Sequence, residues 1–417
     1  MPRLPQSPRS PLTRRAFAAL LTGCAAGGAL TVLSGCAPQE TGTAGTVEDA
    51  EARAFTFLND RVDDAAGTPP GLPVSYTGGH FARQPLAVAF TYDVALVIVA
   101  YCARAASADL RRASALAQVL LDLQVADPEH DGRLRQSYAS GKLTGGHAVP
   151  DTAAADTFTG TQAWAGLALL HAHHATAKTA FRDGAVRLAR WIYDRTYEKK
   201  GVAGYTSGIR ADGTALTHKA TEHNIDVAAF YRCLADATGD DTWSGRADDA
   251  SAFVDAMWDA GTGAFWTGTA GDGATVNRST VPEDIQTWSY LAVPSQQYQG
   301  SVDWARTRLA AEDHGFTGVS VSDADTSKVW FEGTSHLAAA LQARDGSGDR
   351  AHADDLLSTL RSAQATAPNA DGHGIVAASS DGLKTGDGDT LYASLHTGTT
   401  AWFTLAAAAA NPFTLDH

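Results

Sequence analysis

The sequence predicts an all-α fold, a ring of six helical hairpins with short β-hairpins in the connecting loops, and two observations predict it. First, six apolar helical runs open with a polar and aromatic motif, at intervals of roughly sixty residues. Second, the runs between them are amphipathic, charged on one side and apolar on the other. A helix apolar all round is buried, and one with a single apolar stripe is half-buried. Strict alternation of the two kinds is what an inner and an outer layer of helices requires.

Taken in order, the amphipathic helices are expected at 48–65, 108–125, 178–197, 242–259, 301–312 and 348–366. The fourth-turn pattern is plain in 178–197, where Phe181, Leu188, Trp191 and Ile192 share the helix with Arg182, Asp183, Arg187 and Arg190. The apolar helices are expected at 92–105, 161–176, 222–238, 283–294, 332–344 and 397–410. Ala95-Leu96-Val97-Ile98-Val99-Ala100 shows how fully apolar they are. Their openings are Thr91-Tyr92-Asp93, Gly160-Thr161-Gln162-Ala163-Trp164, Thr221-Glu222-His223-Asn224-Ile225-Asp226, Asp284-Ile285-Gln286-Thr287-Trp288, Trp330-Phe331-Glu332-Gly333-Thr334 and His396-Thr397-Gly398-Thr399-Thr400-Ala401-Trp402. If the six face inward, these openings gather at one end of the ring as an acidic, aromatic-lined pocket. Gly204-Tyr205-Thr206-Ser207, Phe265 to Thr269 and Thr275-Val276 are β-prone, with Gly271-Asp272-Gly273 as a hairpin turn. Helix pairs of unequal length exclude a fixed-repeat solenoid.

The N-terminus carries an address. Arg14-Arg15-Ala16-Phe17 precedes an Ala- and Gly-rich apolar stretch ending at Leu33, which fits a twin-arginine export signal. Leu33-Ser34-Gly35-Cys36 matches a bacterial lipobox, so Cys36 is the expected lipidation site and residues 1–36 the signal. Residues 37–46, rich in Gly, Thr and Pro, form the expected tether, and 47–417 the single folded domain. The expected location is the outer face of the cytoplasmic membrane, through the lipid, or the secreted phase. Cys102 and Cys233 sit inside apolar runs and are expected as inert core thiols. A formal charge of −14 argues against a nucleic-acid partner, because phosphates are bound by Lys and Arg. His171, His173 and His174 lack Cys, Asp or Glu at ligand spacing, so no metal or other cofactor is expected.

Twelve helices in alternating order resemble the (α/α)6 barrel of the six-hairpin glycosidase superfamily, over essentially the whole mature chain. Thr221 to Asp226, Gln286-Thr287-Trp288 and Trp330 to Thr334 look like motifs of its exported bacterial members. The resemblance implies carbohydrate chemistry, most often hydrolysis with inversion, and a polysaccharide or oligosaccharide substrate.

Glycoside hydrolysis uses two carboxyl groups across the scissile bond, roughly 6.5–9.5 Å apart in inverting enzymes and about 5–5.5 Å in retaining ones. Asp93, Glu222, Asp226, Asp284 and Glu332 all lie at or within a turn of an inner-helix start. Acids there also cap helices and complement the dipole, but capping does not explain the aromatic and His neighbours. Glu222 is assigned as general acid and Asp93 as base, with Asp284 and Glu332 as rivals for either role. Asp226, four residues after Glu222 and on the same face, is a second acid or a buried partner. Tyr92, His223, Asn224, Gln286, Trp288, Trp266, Trp330 and His396 are the expected substrate contacts, rings for sugar faces and polar groups for hydroxyls. Trp164 and Trp402, deeper in their helices, are expected in the core. Two other readings stay open. A lyase or epimerase on the same barrel would use Tyr92, His223, His336 or His396 as a base, but only Lys219 and Lys328 lie near enough to neutralise a uronate. A non-catalytic glycan-binding lipoprotein is the third.

Overall fold

The computed structural model describes residues 46–66, 71–84, 87–144, 147–150, 155–293 and 295–415. The expected signal, the tether to residue 45 and the lipidation site Cys36 lie outside the described residues. Among these residues no helix is long and apolar enough to cross a membrane.

The inner layer consists of α3 (Thr91–Arg104), α5 (Thr159–Thr176), α7 (Thr221–Thr238), α9 (Asp284–Ala292), α11 (Phe331–Arg344) and α13 (Thr397–Ala407). Each packs on the next, and α13 returns against α3, so the ring closes. The outer layer is α1 (Val47–Ala66), α4 (Ser107–Ala126), α6 (Thr179–Thr196), α8 (Asp241–Ala256), α10 (Gln299–Arg308) and α12 (Asp349–Thr366). A five-residue helix, α2 (Gly79–Arg83), belongs to no hairpin. The inner helices are buried on nearly every face, as their sequences require; α3 is buried from Thr91 through Cys102. Trp164, Trp288 and Trp402 meet on the ring axis, with Trp288 and Trp402 stacked at 5.9 Å, and Phe413 closes over Trp164 at 5.1 Å. The centre is therefore a packed core and not a channel. Truncating one such ring to Ala is expected to cost about 3–5 kcal/mol.

One hydrogen bond, repeated around the ring, ties neighbouring hairpins together. The N–H at the start of each inner helix donates to a carbonyl in the loop that leads into the next one. The pairs are Thr91 to Gln136, Thr159 to Ser207, Thr221 to Thr267, Glu283 to Val321, Phe331 to Ala377 and, closing the circle, Thr397 to Ser75, all between 2.9 and 3.2 Å. Where that first residue is Thr, its hydroxyl also donates to the preceding carbonyl of the same loop: Arg135, Thr206, Trp266 and Val74. These links satisfy N–H groups that a helix start leaves without intrahelical partners, and they hold each start against the loop of the next hairpin.

The connecting strands are short. Gly268–Thr269 pairs with Val276–Asn277 around the expected turn, where Gly273 has φ 74°. The expected helix 301–312 is corrected: it ends at Arg308, and Ala310–Asp313 pairs with Phe316–Val319. Ala310 to Glu312 are good helix formers, but His314 (φ 53°) and Gly315 (φ 79°) make a tight two-residue turn that returns the chain as a hairpin. Likewise 242–259 stops at Ala256, and Trp258–Asp259 pairs with Ala264–Phe265. Cys102 and Cys233 are buried thiols that are not joined in a disulfide; burial pushes the Cys102 thiol up to about 12, which leaves it unreactive.

Candidate active site

The six helix starts surround a narrow cleft. Tyr92 and Asp93 enter from α3, Thr161 from α5, Glu222 from α7, Asp284 and Trp288 from α9, Trp330 and Glu332 from α11, and His396 from α13. Tyr76, Phe90, Gln136 and Leu391 complete the wall. No Lys or Arg is among these lining residues.

The repeated link sets a register that sorts the motif residues. Counting from the linking residue, the next position holds Tyr92, Glu222, Asp284 and Glu332, all of which line the cleft. The third position after it points back at the chain. Gln162 clamps both backbone groups of Leu134 at 2.8 and 2.7 Å, Asn224 those of Tyr205 at 2.8 and 3.0 Å, and Gln286 those of Phe265 at 2.9 Å. Thr334 and Thr400 accept the N–H groups of Val319 and Ile375 from the same position. Asn224 and Gln286, expected as sugar contacts, are thus fully buried clamps outside the cleft lining.

Four of the five expected acids line the cleft: Asp93, Glu222, Asp284 and Glu332. Glu222 is half-buried, whereas Asp93 (2% exposed), Asp284 (2%) and Glu332 (5%) are held within the wall. Asp226 is fully buried below Glu222 and is not in the lining, which favours the buried-partner reading. His223 is also buried, with Phe158 beside it at 6.4 Å. Trp266, expected as a substrate contact, is half-buried and is not among the lining residues; the guanidinium of Arg278 lies over its ring at 5.3 Å. Lys219 does not face the cleft; its ammonium donates to the carbonyls of Lys200, Val202 and Gly273 at 2.6–3.0 Å.

A polar network joins α11, α13 and α3. The Tyr92 hydroxyl donates to Glu332 Oε1 at 2.8 Å and accepts from Trp402 Nε1–H at 2.7 Å. His396 is the N-cap of α13, accepting the Thr399 N–H at Nδ1 (3.2 Å), while its Nε2 lies 3.3 Å from Asp93 Oδ2. Burial pushes the His396 imidazole down, but the carboxylate of Asp93, its hydrogen bond and then Glu332 push it up by more, so its pKa lies above the ordinary 6.5. A second proton would sit on Nδ1, exchanging the cap bond for the Thr399 hydroxyl at 2.9 Å and Glu332 Oε2 at 3.5 Å. Deeper still, His336 Nδ1 stands 3.0 Å from Glu283 Oε2 and its Nε2 3.8 Å from Glu332 Oε1, with His336 and Glu283 both fully buried.

Sequence reasoning missed Glu283, which reads only as the first residue of the helix expected at 283–294, and the wall residues Tyr76, Phe90, Gln136 and Leu391. The hairpin links could have been sought as a repeated Thr three residues before Gln, Asn or Thr: Thr159/Gln162, Thr221/Asn224 and Thr397/Thr400.

No protein-family model and no curated protein sequence matches the chain. Solved structures do. The cellobiose 2-epimerase of Bacillus thermoamylovorans superposes with a TM-score of 0.65 at 12% identity, covering 87% of this chain and 98% of the other. A D-mannose isomerase gives 0.62 at 12% identity over 87% and 96%. A family 76 glycoside hydrolase from a bovine Bacteroides thetaiotaomicron strain gives 0.61 at 12% identity over 87% and 77%. At such identities the likeness is one of architecture, and what it establishes is the fold, an (α/α)6 barrel.

Proposed function

We propose that the protein is a carbohydrate-active enzyme, a glycoside hydrolase acting on a neutral glycan with inversion at the anomeric carbon. One observation carries the reading: Glu222 and Asp93 reach a single aromatic-walled cleft from α7 and α3, inner helices that are not neighbours in the ring. Carboxyl groups on different sides of a bound sugar are what protonation of a leaving oxygen and activation of an opposing water require. Glu222, the most accessible acid, is the general acid and Asp93 the base. Asp284 and Glu332 hold hydroxyls or substitute in either role. Trp288, Trp330 and Tyr92 contribute apolar ring edges to the cleft wall. Among the described residues the lining holds Asp93, Glu222, Asp284 and Glu332 and no Lys or Arg, which favours a neutral substrate over a uronate or a phosphorylated sugar.

A second reading has its own support. His396 has a raised pKa and stands between two carboxylates, so it suits proton transfer at carbon next to a sugar carbonyl, the step of an epimerase or isomerase. Neighbours of both activities fit the fold, and the step from fold to reaction is analogy. We further propose that the enzyme works outside the cell, tethered through Cys36.

The test is a panel of neutral and uronate-containing oligosaccharides assayed for new reducing ends, for isomerised reducing-end sugars and for absorbance at 235 nm. New reducing ends, abolished in Glu222→Gln and Asp93→Asn, are the expected result. Isomerised sugars without cleavage would move the assignment to the second reading, and absorbance at 235 nm to a lyase.

A further inference from the structure

The short helix α2 has no place in the hairpin scheme and none of its residues is buried, yet it is held firmly. Gly78 (φ 71°) and Gly79 (φ 48°) turn the chain into it, and a Cβ on Gly79 would stand 2.4 Å from the Ala393 carbonyl oxygen. The His80 N–H donates to Ser394 Oγ at 3.1 Å, and Asn369 fixes the Ala393 carbonyl at 2.7 Å. Left-handed glycines and close backbone contact at a helix that adds nothing to the core indicate that what it carries is wanted at this position.

What it carries is aromatic. His80 stacks on Tyr392 at 3.8 Å and 10°, and Phe81 meets the same ring edge-on at 5.9 Å. Phe81 also packs on Tyr76 at 5.1 Å, and Tyr76 stacks on His396 at 4.1 Å and 7°. Tyr76, Phe81, His80 and Tyr392 are all half-buried. The rings therefore form a continuous bank from the rim into the cleft, where Tyr76, Leu391 and His396 are already part of the wall. At the outer end of the bank, Arg83 of α2 and Asp381 face each other at 3.8 Å.

We propose that this bank is a second sugar subsite, which receives the next pyranose unit of a neutral disaccharide or longer oligosaccharide whose first unit fills the cleft. The proposal rests on the carbohydrate reading above and names its substrate class: a chain of at least two sugars, and not a free monosaccharide. A pyranose presents C–H groups on its faces and hydroxyls around its edge. Tyr392, braced by His80 and Phe81, offers a rigid ring for such a face with little conformational entropy to lose.

The experiment compares Tyr392→Ala, Phe81→Ala and Tyr392→Phe with the parent protein on a trisaccharide and on an aryl monosaccharide with the same glycone. In both alanine variants the ratio of kcat/KM for the trisaccharide to that for the aryl glycoside is expected to fall about tenfold, a loss in the range of one stacking contact. Tyr392→Phe keeps the ring and is expected to keep the ratio, which separates stacking from a folding defect. An unchanged ratio in the alanine variants would overturn the subsite. Calorimetric titration of the same proteins with neutral mono-, di- and trisaccharides distinguishes this failure from failure of the catalytic reading. Binding that strengthens with chain length and is lost in Tyr392→Ala supports the subsite even if nothing is turned over. Binding indifferent to length or to Tyr392→Ala, or no binding at all, overturns it.

Discussion

The His396 imidazole stands 3.3 Å from the Asp93 carboxylate across 303 residues of chain, joining the last inner helix to the first at the floor of the cleft. The contact depends on Gly398. A Cβ there would lie 2.6 Å from Asp93 Oδ1 and 3.0 Å from His396 Cε1. Gly398→Ala is therefore expected to separate the pair. Activity should fall by about tenfold or more, because misplacing a catalytic group by a fraction of an ångström is costly, while the melting temperature changes by only a few degrees. A fully active Gly398→Ala variant would show that the pair is not needed.

The same pair sets a pH dependence. A histidine whose folded pKa is raised contributes stability that is complete below its unfolded value and is lost as pH rises through the folded one. With His396 held above 6.5 by Asp93 and Glu332, against burial, the melting temperature is expected to decline as pH increases from 6.5. His396→Gln should flatten that part of the profile. Melting curves of both proteins from pH 5 to 9 check it, and parallel profiles would contradict it.

Asn224 distinguishes a structural clamp from a substrate ligand. Asn224→Ala leaves the N–H and C=O of Tyr205 without their side-chain partners in a buried setting, at about 1–3 kcal/mol for each unsatisfied group. Denaturant unfolding is expected to show a loss of about 2–6 kcal/mol, with KM little altered in the folded fraction. A raised KM with unchanged stability would restore Asn224 to the sugar site.

Close approach of inner helices gives a fourth expectation. A Cβ on Gly166 of α5 would sit 2.2 Å from Cζ of Phe230 on α7. Gly166→Ala should cost about 1–3 kcal/mol by overpacking, despite the better helix propensity of Ala. A variant as stable as the parent would mean that the ring can widen at this seam.

Cys36→Ser probes the proposed anchor. Fractionation of cells expressing it is expected to shift the protein from membranes to the soluble exported fraction, and unchanged membrane association would remove the lipid from the account.

The ring was legible because its two layers differ in composition at every turn. Ala95 to Ala100 could only be buried, and Arg182 to Arg190 only half-exposed. The acids at the mouth were legible because carboxylates rarely open a fully apolar helix. Which way a polar residue turned was not. Asn224 and Gln286 each lie two residues beyond a lining acid, and that much helical rotation, fixed by the inter-hairpin bonds, directs them to the backbone. Glu283 and His336 are buried partners whose contact spans α9 and α11, a tertiary relation that no local pattern carries. Helix α2 was missed because a five-residue helix has too few positions for a period to emerge.

The most direct test of the central claim is incubation with a reducing oligosaccharide substrate in D2O, followed by NMR of the products. The account predicts cleavage into shorter sugars with no deuterium at C2, and loss of that cleavage in Glu222→Gln. Deuterium at C2 without cleavage, abolished in His396→Gln and retained in Glu222→Gln, would contradict it.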